Sequence, residues 1–96
     1  MIKYTLTKDL FVFNDNNEFY NKVCELIKLD DEIVLDFQNV KNISSTTIGI
    51  FFSIQQKVEF TSQILKIINM NNTVKETIIQ LQAYKSLPNF KFEGIS

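Results

Sequence analysis

The sequence predicts an α/β domain built on a four- to five-stranded, mixed but mostly parallel sheet with about three helices. Two observations predict this. Short apolar runs of strand length alternate with longer segments of helical period along most of the chain, the pattern of strands joined by crossover helices. A chain of 96 residues with 45% hydrophobic content also has room for one core, so residues 1–96 are expected to form a single domain.

The elements follow in order. Ile2, Tyr4 and Leu6 alternate with Lys3, Thr5 and Thr7, which predicts a half-buried strand. Lys8-Asp9 is a turn, and Leu10 to Phe13 is a second short strand expected to pair with the first as a hairpin. Asn14-Asp15-Asn16-Asn17 supplies caps for a helix from Asn16 to Lys28, with Phe19, Val23, Leu26 and Ile27 inward. Ile33-Val34-Leu35, closing on Asp36, is a continuous apolar run expected of a strand covered on both faces.

Beyond the turn at Gln38-Asn39 comes Ser44-Ser45-Thr46-Thr47, and a helix is predicted from Thr47 to Phe60. Its core stripe is Ile48, Phe51, Ile54 and Val58, while Ile50 and Phe52 flank that stripe on opposite sides. Ile64 to Ile68 is a further strand. Asn69 to Thr73 caps a last helix over Thr73–Tyr84, whose inward residues are Val74, Ile78 and Leu81. Pro88 stops that helix, and Phe90-Lys91-Phe92 makes a closing edge strand. Three periodic helices argue against a ferredoxin-like sandwich, which has two.

Composition excludes several function classes. A net charge of −1 with scattered acids and bases leaves no electrostatic footprint for nucleic acid or an anionic membrane, so the expected partner is a protein. Histidine is absent and Cys24 is the only cysteine, which rules out an internal disulfide framework and the common zinc arrangements. No metal and no cofactor are expected. The first ten residues lack the basic start and apolar run of a signal peptide, and no apolar segment approaches the roughly 18 residues of a membrane span. A cytoplasmic protein is the expectation.

The hydroxyl cluster is the stretch on which function turns. The first N–H groups of a helix lack intrahelical partners and carry partial positive charge, so side-chain oxygens there either cap the helix or hold a phosphate. A nucleophilic role would need a base; no histidine exists, and nothing places Lys41 beside Ser45, so the chain is not expected to be an enzyme. Nor do Gly49 and Gly94, its two glycines, form a phosphate-binding loop.

The run Ile33-Val34-Leu35-Asp36, then Val40, then Ile43 to Ile50, and later Val74 to Leu81, resembles the STAS domain. That family includes sulfate-transporter C-terminal domains and bacterial anti-sigma-factor antagonists. Its pattern is an apolar strand ending in Asp, then Asp-Ser-Ser/Thr-Gly-Leu-Gly opening a helix. The resemblance implies Thr46, or its neighbour Ser45, as phosphoacceptor. It also implies a partner-binding edge containing Asn14, Asp15, Asp36, Ser44, Thr47, Gly49, Ile50 and Phe52.

Two positions depart from the pattern: Ser44 stands at the family's Asp and Thr47 at its Gly. The function implied is a non-catalytic regulator of transcription that docks an anti-sigma factor doubling as its kinase and is released by phosphorylation. The alternative is the cytoplasmic STAS subunit of an ABC-type lipid transporter, docked on its ATPase. A homodimer is compatible with either.

Overall fold

The protein is described by a computed structural model over residues 1–95. Four strands, β1 (Ile2–Thr5), β2 (Glu32–Asp36), β3 (Ile64–Ile68) and β4 (Phe90–Phe92), alternate with helices α1 (Phe13–Ile27), α2 (Ser45–Val58) and α3 (Asn72–Gln80). A 3₁₀ turn, Ala83–Ser86, precedes β4. All four strands are parallel and lie in the order β1-β2-β3-β4.

A right-handed crossover that always steps to the next strand puts every helix on the same face of the sheet. The register shows which side chains that face receives. Ile33 and Leu35, aligned with Leu65 and Ile67 and then with Phe90 and Phe92, join Phe19, Val23, Phe51, Ile54, Val74 and Ile78 in one buried cluster. Phe51 sits at its centre, 6.1 Å from the ring of Phe19 and 5.3 Å from that of Phe90. The other face carries the row Lys3, Val34, Lys66 and Lys91.

Three expectations are corrected. The hairpin does not form: Leu10 makes an isolated parallel bridge with Ile43, and α1 already begins at Phe13. An apolar run of four has no period of its own, and Asn16, read as a cap, lies inside the helix with its amide satisfying Leu10 and Val12 carbonyls. Val34 is buried but stands outside the helix-side cluster, because β2 is covered by helices on one face only. Its register neighbours Lys3 and Lys66 supply the aliphatic stems suited to shielding it. Leu81 does not face inward; it is the C-cap of α3 and exposed, since Gln82 turns left-handed and Ala83 and Leu87 fill the core instead.

Candidate functional site

A strand order that never reverses has no topological switch point, so the C-terminal edge of this sheet lacks the crevice in which doubly wound folds hold small ligands. What that edge offers is a surface. Its loops are tied to one another by side chains. Asn39 donates to the carbonyl of Leu6, Lys41 N–H to Asp9, and Asn71, the N-cap of α3, to the carbonyls of Val40 and Lys41.

Asp36 closes β2 and anchors this edge from within. It is 1% exposed, and its carboxylate accepts from Gln38 N–H at 2.9 Å and Asn69 Nδ2 at 3.1 Å, with Lys3 Nζ at 3.5 Å. Burial pushes its pKa up, but the Gln38 and Asn69 hydrogen bonds and the Lys3 charge outweigh that and hold it below the ordinary carboxylate value. Asp36 therefore braces the loops and presents nothing to a partner.

The first turn of α2 divides its hydroxyls into two kinds. Ser44 is the N-cap, extended, with its carbonyl accepting from Thr47 N–H at 3.0 Å. Thr47, the third helical residue, returns the contact by accepting Ser44 N–H at 3.2 Å, the part a Glu plays in the usual capping box. Thr47 is 0% exposed, and its hydroxyl proton has two acceptors in reach, Leu10 O at 2.8 Å and Asn16 Oδ1 at 2.7 Å. The Asn16 amide in turn donates to the carbonyls of Leu10 and Val12, which fixes its orientation because a flipped oxygen would face both.

Thr47 is thus removed from the partner-binding set by burial, like Asp36. Ser45 and Thr46, the first two helical residues, are exposed. Gly49, one turn on, is also exposed, and a Cβ built there meets nothing within 4 Å. Ile50 is half-buried and Phe52 exposed, while Ser44 is half-buried in its capping role.

Asn14 and Asp15 lie in the first turn of α1. Asn14 is exposed; Asp15 lines a groove of about 50 Å³ with Tyr4, Lys8, Leu10, Glu18 and Phe19, and its carboxylate is 3.9 Å from Lys8 Nζ. That groove runs along the β1 side of α1, whereas Asn16 faces α2, so Asp15 is not brought to the hydroxyl cluster.

The residues that sequence reasoning missed are Phe11, Val12 and Phe13, exposed at 65%, 54% and 73%. The Leu10 and Val12 carbonyls on either side of Phe11 are held by the Asn16–Thr47 network, which brings the backbone at the start of this run to the first turn of α2. The signal available was the tetrad of Asn and Asp that follows: caps so close behind an apolar run suit a helix entry as well as a strand end.

The arrangement can hold a partner or receive a phosphoryl group on an exposed hydroxyl. Among the described residues no cluster of His, Cys, Asp and Glu is placed to bind a metal, and no helix is long and apolar enough to cross a membrane.

The STAS domain family model matches residues 2–93. A search of curated proteins returned no match. The match covers every strand and helix described above, including the α2 entry and the β2 end.

Proposed function

This chain belongs to the STAS domain family, and from that premise we propose that it works as a cytoplasmic, non-catalytic docking module of the anti-sigma-factor-antagonist kind. Its docking corner consists of Phe11, Val12 and Phe13 together with Ser45, Thr46, Gly49 and Ile50. Thr46 is the phosphoacceptor and Ser45 the second candidate.

The observation that carries the reading is Gly49. Glycine inside a helix costs about 0.5–1 kcal/mol relative to alanine, and among the described residues no side chain or backbone occupies the space its missing Cβ leaves. A partner backbone approaching the outer face of α2 would need it. The exposed Phe11–Phe13 run supplies apolar area of the kind that anchors interfaces.

Phosphorylation fits the same corner. A phosphate on Thr46 adds about two negative charges at pH 7, which the unpaired N–H groups of the helix start tolerate while a partner seated on that corner is repelled. The switch would act through local charge and needs no refolding, a reading supported by the Thr47–Asn16 contact that braces the corner in the unmodified chain. Incubation with ATP and a purified anti-sigma-factor kinase is expected to give phosphothreonine. Label retained in full by a Thr46→Ala variant would refute Thr46 as acceptor.

A second reading, a subunit docked on the ATPase of an ABC-type lipid transporter, is favoured by exposed apolar residues on the other flank, Phe52 on α2 and Ile79 and Leu81 at the end of α3. Ser44 also takes the place of the acidic residue expected beside a phosphoacceptor, and its structural role is capping. Co-purification with an ATPase and permease, with binding lost in Phe52→Ser, would decide for this reading; a stable complex with an ATP-binding anti-sigma kinase would decide against it.

A further inference from the structure

Because the hairpin expected at the start of the chain does not form, β1 stands at an edge of the sheet with no strand beyond it among the described residues. Bonds to a parallel neighbour alternate along a strand, and Leu6 N–H donating to Asp36 O sets their phase. Ile2, Tyr4 and Leu6 therefore turn their backbone groups toward β2, whereas Lys3 and Thr5 turn theirs outward. Among the described residues no other segment donates to or accepts from those four outward groups. A row of unpaired N–H and C=O groups is a template for another strand.

On the helix side of this edge Ile2 and Tyr4 are only half-buried, and the groove of about 50 Å³ beside them is lined by Tyr4 itself and by the buried Leu6, Leu10 and Phe19. The charges nearby answer one another within the chain. Lys8 Nζ is 3.9 Å from Asp15 and 3.7 Å from Glu18; Lys22 Nζ, 5.6 Å over the Tyr4 ring, is 3.7 Å from Glu25; and Lys3, on the open face, is 3.5 Å from Asp36. The edge is left short of backbone partners and of apolar cover.

A second copy related by a two-fold axis can supply both, and the strand it supplies is necessarily antiparallel. The residues fix where the axis falls. An axis at Lys3 opposes two lysines, and one at Thr5 carries the pairing past the end of β1. With the axis at Tyr4, Lys3 and Thr5 of each copy exchange both their bonds with Thr5 and Lys3 of the other, so all four outward groups are satisfied. The two Tyr4 side chains then meet in the close, non-hydrogen-bonded pair, about 4.5 Å apart at Cα, and Ile2 comes opposite Leu6 at the mouth of the groove. We propose that the chain forms a two-fold dimer in this register, β1 against β1, with Ile2 of each copy covering the groove of the other. The proposal does not rest on the docking reading of the α2 corner.

Sedimentation equilibrium is expected to show the unmodified chain rising, with concentration, to twice the 11.2 kDa of one copy. Thr5→Pro removes an outward N–H that β2 does not use, and it should weaken the dimer at least about tenfold, since each copy loses one hydrogen bond. Single cysteines in a Cys24→Ser background read the register directly. Tyr4→Cys is expected to cross-link two chains under mild oxidation, whereas Lys3→Cys and Thr5→Cys, each two places out of line with its own counterpart, are not. A chain that stays monomeric at millimolar concentration overturns the proposal. So does a dimer that tolerates Thr5→Pro, or one that cross-links through Lys3→Cys or Thr5→Cys and not through Tyr4→Cys. If Thr5→Pro abolishes the urea unfolding transition, the cysteine series decides alone.

Discussion

Thr47 Oγ1 lies 2.7 Å from Asn16 Oδ1, and this contact between two buried polar side chains joins the first turns of α2 and α1. It is why the segment before α1 borders the start of α2, and it gives a polar threonine a reason to occupy a fully buried position. Thr47→Val leaves the buried Asn16 side-chain oxygen without its donor, whereas Asn16→Leu leaves the Thr47 hydroxyl its bonds to Leu10 O and Ser44 N–H and removes the amide's bonds to the Leu10 and Val12 carbonyls. Thr47→Val and Asn16→Leu are each expected to destabilise the fold by about 1–3 kcal/mol. Urea denaturation of the singles and the double should show a coupling of about 0.5–3 kcal/mol, because the two residues share the bond. Additive losses would show that the contact contributes nothing.

Gly49→Ala separates stability from docking. The substitution meets open space and should stabilise the protein by about 0.5–1 kcal/mol in thermal or urea melts. The same variant is expected to bind its α2-corner partner more weakly, and a bulkier Gly49→Leu more weakly still.

Ser44 and Thr46 should part company in the same assays. Ser44→Ala removes the capping hydroxyl and is expected to cost about 1 kcal/mol of stability. Thr46→Ala, at an exposed position, should stay within about 0.5 kcal/mol of the parent while losing phosphorylation.

Asp36 makes stability depend on acid pH. Its folded pKa lies below the ordinary 3.8, so its stabilisation is complete above that value and drains away as the pH falls through the lower folded value. Urea midpoints measured between about pH 2 and pH 7 should decline at the acid end. In Asp36→Asn, which cannot titrate, that part of the decline is expected to vanish.

The strands and the central helix were legible because their signals are local. Ile48, Phe51, Ile54 and Val58 repeat at helical spacing and are all buried; Ile33, Leu35, Leu65 and Ile67 point to one face and fill the core. Leu10–Phe13 was not legible, because four consecutive apolar residues suit a strand until a tertiary contact such as Asn16–Thr47 chooses otherwise. The same limit hid the fates of Asp36 and Thr47. The family resemblance set both on a partner-binding edge, and only the approach of Gln38, Asn69, Leu10 and Asn16 in space turned them into buried braces. The hydroxyl cluster was read at the entry of the central helix, but the start was set at Thr47, two residues beyond Ser45, because four successive hydroxyl residues each suit a cap.

The central claim is that a protein partner docks on the first turn of α2 and the apolar segment before α1. The most direct measurement is an amide chemical-shift titration of the isotope-labelled chain with a purified ATP-binding anti-sigma-factor kinase. The account predicts perturbations concentrated at residues 11–13, 45, 46, 49 and 50. Saturable binding that leaves those amides unmoved, with every shift confined to the open sheet face or the opposite loops, would contradict it.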